Sequence, residues 1–109
     1  MAEVKGMADE AEKIILLKGW TKSAATYCIM NESHTIGNSL RWMLMKNPKV
    51  EFCGYSVPHP SENKIHLRIQ MYDEEDSLEA LITALENLDQ VTAEIGTRFD
   101  DSMEAYMHE

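Results

Sequence analysis

The chain has 109 residues, 44% of them hydrophobic, and a formal net charge of -9. This length suits one domain and hardly suits two. The negative charge disfavours direct binding to nucleic acid or to an anionic membrane surface, because both depend on Lys and Arg. No apolar run approaches the roughly 20 residues of a membrane-spanning helix. The 2 cysteines are too few for a disulfide framework, which favours a reducing compartment such as the cytosol or nucleus.

The first part of the chain divides into an arm and a hairpin. Residues 1–12 are acidic, rich in small residues and without periodicity, which predicts a flexible arm before a single domain at residues 13–109. The continuous apolar run within residues 13–17 predicts a short buried strand. Gly19 then turns the chain, and Ala24–Met30 has the β-branched and aromatic content of a returning strand.

A helix with more apolar surface than one small core can cover is predicted to begin at Thr35 and to end before Pro48. Thr35 is the expected N-cap, and Asn47 is the expected left-handed cap. Apolar residues at i, i+4, i+7 and i+8 share one face: Ile36, Leu40, Met43 and Leu44. Trp42 and Met45 point to the other side. Because a small domain has only one core, the second side predicts contact with another chain.

Two further strands are predicted after this helix. In residues 50–57, Val50 and Phe52 are expected on one face, and the other face should carry Cys53, Tyr55 and Val57. Gly54 predicts a bulge or a close approach of the backbone. In residues 64–72, apolar and polar side chains alternate strictly, which predicts a half-buried antiparallel strand. Its buried set is Ile65, Leu67, Ile69 and Met71.

A long amphipathic helix is predicted over residues 77–106, with Asp76 as its N-cap. At ~1.5 Å per residue it would be about 45 Å long, whereas a compact domain of this size has a diameter of roughly 35 Å. Apolar residues recur every three or four positions to its end, so the helix should overhang its domain with an uncovered stripe. Gly96 is expected to mark a bend or a close crossing.

The residues that could carry chemistry form no clear catalytic or metal site. The spacing Cys-x5-His begins at both Cys28 and Cys53, which raises the alternative of a small zinc enzyme. The chain lacks the closely spaced C-x2-C knuckles of structural zinc sites, however. Ser33 and His34 lie outside any G-x-S-x-G elbow, which disfavours a hydrolase. The residues favour a binding protein, and a module that pairs with its own copy remains an alternative.

Several motifs of the middle of the chain resemble those of one known family. They are similar to the small alpha-like subunit of eukaryotic RNA polymerases, related to the bacterial alpha N-terminal domain and archaeal subunit L: SHTIGNSLR at 33–41, KNP at 46–48, FCGY at 52–55 and PHPSE at 58–62. The sequences of these motifs are most similar to those of the subunit shared by RNA polymerases I and III, with the polymerase II counterpart as an alternative. Ser33 stands where the family commonly has Asp.

The resemblance implies an α+β domain with a small antiparallel sheet, two helices on one face and a long C-terminal helix. It implies a non-catalytic nuclear and nucleolar subunit without cofactor or metal. The charge balance separately argues against direct contact with nucleic acid or membrane. This subunit would pair with the larger alpha-like subunit and form the platform for the large catalytic subunits, which make ribosomal RNA precursor, 5S RNA and tRNA. The family's dimer helix maps onto residues 35–45. The implied partner contacts are Ile36, Gly37, Leu40, Met43 and Leu44 in this helix, and Leu81, Leu85, Leu88, Ile95 and Phe99 in the last helix.

Overall fold

The computed structural model describes residues 12–108, so the flexible arm predicted at residues 1–12 lies, apart from its last residue, outside the described residues. The elements in chain order are β1 (Ile14–Leu16), β2 (Ala24–Met30), α1 (His34–Met45), β3 (Val50–Ser56), β4 (Lys64–Met71) and α2 (Ser77–Met107). Their strands form an antiparallel sheet in the order β1-β2-β4-β3. Both helices pack on one face of this sheet, which confirms the predicted fold class.

The central strand β4 carries the middle of the core. It pairs with β2 on one side and with β3 on the other. Ile65, Leu67 and Ile69 are 0% exposed, while the residues between them are only half-buried. This alternation confirms the strand predicted over residues 64–72, since successive side chains of a strand point to opposite faces.

Strand β1 lies at an edge of the sheet, and the prediction that it is buried is wrong. Ile15 is 37% exposed and Leu16 is 41% exposed, because β1 pairs with β2 alone. A short apolar run has the same composition whether a strand is central or peripheral, so the sequence pattern could not distinguish the two.

The ends of α1 differ from both predicted caps. The helix begins at His34, its N-cap Ser33 makes no capping hydrogen bond through its side chain, and Thr35 already lies in the first turn. The Thr35 carbonyl accepts a hydrogen bond of 2.8 Å from the Ser39 hydroxyl. At the other end, Asn47 is not left-handed. Its side-chain Oδ1 accepts a hydrogen bond of 2.9 Å from the Lys49 amide and so forms a local turn.

A bulge in β3 changes which residues share a face. The pairing with β4 shifts between Val50 and Phe52, so Val50 is buried at 6% exposure although Phe52 is 48% exposed. The expectation that these two share a face is therefore wrong, and so is a bulge at Gly54. A Cβ at Gly54 would lie 3.0 Å from the Phe52 ring, so a close approach does exist there, against a side chain.

Helix α2 is anchored to the sheet at its start. Asp76 Oδ1 accepts a hydrogen bond of 2.9 Å from the Leu78 amide, which confirms the predicted N-cap. The buried Tyr27 and Ser77 hydroxyls are hydrogen-bonded at 2.9 Å, and the Ser77 amide donates to the Lys22 carbonyl at 2.8 Å. Burial raises the pKa of the Tyr27 hydroxyl; the Ser77 hydrogen bond opposes the rise and the Asp76 charge adds to it.

Candidate interaction surface

The face of α2 that enters the core stays apolar after the core ends. Ala80, Leu81 and Ala84 are buried near the start of the helix. With 3.6 residues per turn, Ile95 and Phe99 continue the same face as Leu81. Ile95 is 63% exposed and Phe99 is 62% exposed. Three further exposed apolar residues belong to the same stripe: Val91, Met103 and Tyr106.

The uncovered part of α2 overhangs the domain. From residue 89 the helix continues to Met107, a distance of about 28 Å at ~1.5 Å per residue. The radius of gyration is 17.3 Å, compared with ~13 Å expected for a compact domain of this length. Apart from its chain neighbours and the nearby backbone of its own helix, nothing lies within 4 Å of a Cβ built at Gly96, and the helix runs through this residue without interruption. The expected close crossing at Gly96 is therefore not formed within the described chain, and the bend stays a prediction.

The second side of α1 faces the same region as the α2 stripe. Trp42 is 53% exposed and Met45 is 47% exposed, and the Lys46 ammonium lies 4.1 Å from the centre of the Trp42 ring. An open groove of about 600 Å³ runs between the helices, lined by Trp42 of α1, the following Lys46, and Val91 and Ile95 of α2. We call the exposed apolar residues of this region the helical surface: Trp42, Val91, Ile95, Phe99 and Met103.

The structure divides the ten predicted partner contacts into core and surface residues. Leu40 and Leu44 are 0% exposed and Leu81 is 1% exposed, so a partner that leaves this core intact cannot touch them. Met43 is also buried, and Ile36 and Leu88 are half-buried against the core. The exposed members of the predicted set are Leu85, Ile95 and Phe99.

Gly37 allows a close contact within this chain, between α1 and β3. A Cβ at this position would lie 2.6 Å from ring atoms of Tyr55 on β3. The Tyr55 hydroxyl is hydrogen-bonded to His34 Nδ1 at 2.7 Å, and the two rings meet edge to face. Gly37 therefore lets the first turns of α1 lie directly on Tyr55, which sets the position of α1 on the sheet.

The predicted contact set omitted three members of the helical surface. These are Trp42, Val91 and Met103. The sequence did contain a signal for each of them, because Trp42 lies opposite the core face of α1 and the other two belong to the repeat of threes and fours in α2. That repeat extends over core and overhang alike, so it does not separate one from the other.

The groups that could carry chemistry are either buried or dispersed. Burial raises the pKa of the Cys53 thiol to about 11, against a lowering effect of the Arg41 charge, so this cysteine is protonated at neutral pH and a poor nucleophile. Within residues 12–108, no group of three or more His, Cys, Asp or Glu side chains could hold a metal ion. In that same part of the chain, no helix is both long and apolar enough to span a membrane.

Comparison with known proteins identifies relatives over most of the chain. The family model described as the RNA polymerase Rpb3/Rpb11 dimerisation domain matches residues 24–98. The chain is 42% identical over 99 residues to the DNA-directed RNA polymerases I and III subunit RPAC2 of Saccharomyces cerevisiae, covering 88% of this chain and 70% of that protein. The RPAC2 subunit of Danio rerio is 41% identical over 96 residues, with 88% and 86% covered.

Two other matches are more distant or shorter. The chain is 48% identical over 66 residues to a probable DNA-directed RNA polymerase II subunit RPB11 of Caenorhabditis elegans, which covers 61% of this chain and 54% of that protein. The crystal structure of RNA polymerase subunit L from Thermoplasma acidophilum superimposes with a TM-score of 0.71 at 18% identity, covering 88% of this chain and 93% of that one. At this identity the likeness concerns the fold alone.

Proposed function

Because the chain belongs to the Rpb3/Rpb11 dimerisation-domain family of RNA polymerase subunits, we propose that it is the small alpha-like subunit of RNA polymerases I and III. The relatives named for polymerases I and III cover 88% of the chain at 41–42% identity, whereas the polymerase II relative covers 61%. This difference in coverage supports polymerases I and III over polymerase II.

In this role the chain forms a heterodimer with a larger alpha-like subunit in the nucleus and nucleolus. The heterodimer is the platform on which the large catalytic subunits assemble for synthesis of ribosomal RNA precursor, 5S RNA and tRNA. The chain supplies no catalytic group of its own. The dimerisation domain named by the family model supports the pairing.

The observation that carries this proposal is the uncovered apolar face of α2. A contiguous exposed apolar patch of this kind marks an interaction site in soluble proteins. Each large apolar side chain that a partner covers contributes roughly 1.5–3 kcal/mol before the costs of association. Ile95 and Phe99 are both more than 60% exposed, so most of this contribution is still available for binding.

We assign the direct contacts to the exposed residues of the predicted set, together with the rest of the helical surface. Leu85, Ile95 and Phe99 are retained, and Trp42, Val91 and Met103 are added. The other predicted residues act indirectly, because they hold α1 and α2 against the sheet: Ile36, Gly37, Leu40, Met43, Leu44, Leu81 and Leu88. A partner then meets a rigid surface, which reduces the entropy lost on binding.

The test is co-expression with the larger alpha-like subunit, followed by size-exclusion chromatography with light scattering. We expect a one-to-one heterodimer, and we expect Ile95→Asp to weaken it by placing an unpaired charge in an apolar interface. Ala93→Asp is the matched control, since Ala93 is exposed and lies roughly 160° around the helix from Ile95. Equal weakening by both variants would contradict the assignment of this face.

The same experiment separates the alternatives. A chain that pairs with its own copy and ignores the larger subunit would be a self-associating module and would overturn the proposal. The metal alternative raised by Cys28 and Cys53 needs a separate metal analysis of the purified chain, and stoichiometric zinc there would revive it.

A further inference from the structure

The sheet has a second face, turned away from both helices, which no helix of the described chain covers. Its middle row is on β4, where the outward side chains are half-buried: Lys64, His66, Arg68 and Gln70. One exposed apolar residue lies on each side of this row. Phe52 on β3 is 48% exposed and Ile15 on β1 is 37% exposed. We call this the outer face.

The outer face carries one positive charge, on Arg68, that no carboxylate of the described chain neutralises, although the chain is acidic. The chain has a formal net charge of -9, yet none of the residues paired across this face in the sheet is Asp or Glu. The Lys64 ammonium lies 2.9 Å from Glu62 in the preceding turn. For Arg68, in contrast, no ion pair is formed with any of the residues 12–108.

Arg68 is nevertheless held in place by neutral groups. Its Nε donates to Gln70 Oε1 at 3.2 Å, and its Nη1 donates to Thr26 Oγ1 at 3.1 Å. A guanidinium has five N–H donors, so three remain after these bonds, on Nη1 and Nη2. A carboxylate accepts two parallel hydrogen bonds from such a pair, and an arginine already fixed by other bonds loses little freedom when it binds.

We propose that the outer face docks an extended acidic segment of a second protein partner, with a carboxylate of that segment on Arg68. The outward side chains of β4 are two residues apart, which is also the spacing of alternate side chains in an extended segment laid along the strand. Phe52 and Ile15 provide apolar contacts beside the charge. The proposal rests on the proposed function, because it takes this partner to be one of the large catalytic subunits.

Nucleic acid fits the outer face less well than a protein segment. Phosphate binding depends on many basic side chains acting together, and this face offers one fixed arginine on a chain with a net charge of -9. A single bidentate contact flanked by apolar side chains is typical of a protein interface, where Arg and aromatic residues are enriched.

The test uses the heterodimer of this chain with a tagged larger alpha-like subunit and measures how tightly it captures the purified large subunits. Arg68→Gln should weaken capture by about tenfold or more, as expected for a central charged contact. Arg68→Lys, which keeps the charge but not the planar fork, should also lose affinity. Lys18→Gln is the matched control, because it removes one charge from an exposed turn and should leave capture unchanged. Wild-type capture by Arg68→Gln would overturn the proposal.

Two additional measurements keep this result separate from the proposed function. Heterodimer formation by Arg68→Gln should match wild type, because Arg68 is on the face opposite the helices. Its thermal unfolding should shift only slightly, because the substitution removes only hydrogen bonds to the neutral side chains of Gln70 and Thr26. If neither the wild type nor any variant forms the heterodimer, the proposed function fails. If the heterodimer forms and capture of the large subunits does not depend on Arg68, only the present inference fails. Binding of a single-stranded oligonucleotide that depends on Arg68 would overturn the assignment to an acidic protein segment.

Discussion

Substitution of Gly37 by Ala tests how α1 is positioned on the sheet. The added Cβ would lie 2.6 Å from two ring atoms of Tyr55 and 2.9 Å from a third, whereas carbon atoms in contact are normally ~3.5–4.0 Å apart. The ring must therefore move by about 1 Å. That movement would strain the hydrogen bond of 2.7 Å between Tyr55 and His34 Nδ1.

The opposing effects can be compared in size. Overpacking of a well-packed site costs ~1–3 kcal/mol, and a lost hydrogen bond costs about 1 kcal/mol more. Ala in place of Gly in a helix interior gains about 1 kcal/mol. We therefore expect Gly37→Ala to lower the free energy of unfolding by roughly 1–3 kcal/mol.

The assay is urea unfolding of the chain at fixed concentration, followed by far-UV circular dichroism. Gly96→Ala is the matched control, because a Cβ there meets nothing within 4 Å, and it should stabilise the free chain by up to ~1 kcal/mol. In a Tyr55→Ala background the ring is absent, so Gly37→Ala should become neutral or stabilising. Destabilisation of the same size with and without the Tyr55 ring would refute this reasoning.

Two other predictions concern the core. Leu40→Ala should lower the free energy of unfolding by about 2–5 kcal/mol, because Leu40 is 0% exposed, and urea unfolding measures this directly. Burial raises the pKa of the Cys53 thiol from 9.0 to about 11, so above pH 9.0 the unfolded chain loses this proton more readily than the folded chain does. The contribution of the protonated Cys53 thiol to the free energy of unfolding should be complete below pH 9.0 and should be lost as the pH rises through about 11. An equally large decrease in the free energy of unfolding of Cys53→Ala over this pH range would contradict the assignment to this thiol.

The parts of the fold that the sequence predicted well are those decided by local pattern. Strand β4 alternates because one face is buried, and α2 starts where Asp76 can accept a hydrogen bond from a free amide of the first turn. Both signals depend on neighbouring residues only. They were therefore available without any knowledge of what packs against these elements.

The features that could not be predicted depend on competition between local and long-range contacts. The bulge between Val50 and Phe52 reflects the pairing of β3 with β4, and a period of two in β3 alone does not reveal it. At the end of α1, the Asn47 side chain bonds to the Lys49 amide, which competes with the left-handed cap that Asn also tolerates. The edge position of β1 is likewise a property of the whole sheet.

The sequence could not separate core residues from interface residues for a related reason. In α2 the same apolar periodicity runs from Leu81, which is 1% exposed, to Phe99, which is 62% exposed. The helix has a similar apolar stripe in both halves, so periodicity predicts that the stripe must be covered but not by which molecule. Length is what separates the two halves, because the sheet ends after about three turns while the helix continues for about 28 Å more. The overhang is thus the strongest sequence signal for a partner in this chain, and its residues, rather than the buried leucines of α1, are where substitutions should change binding without changing the fold.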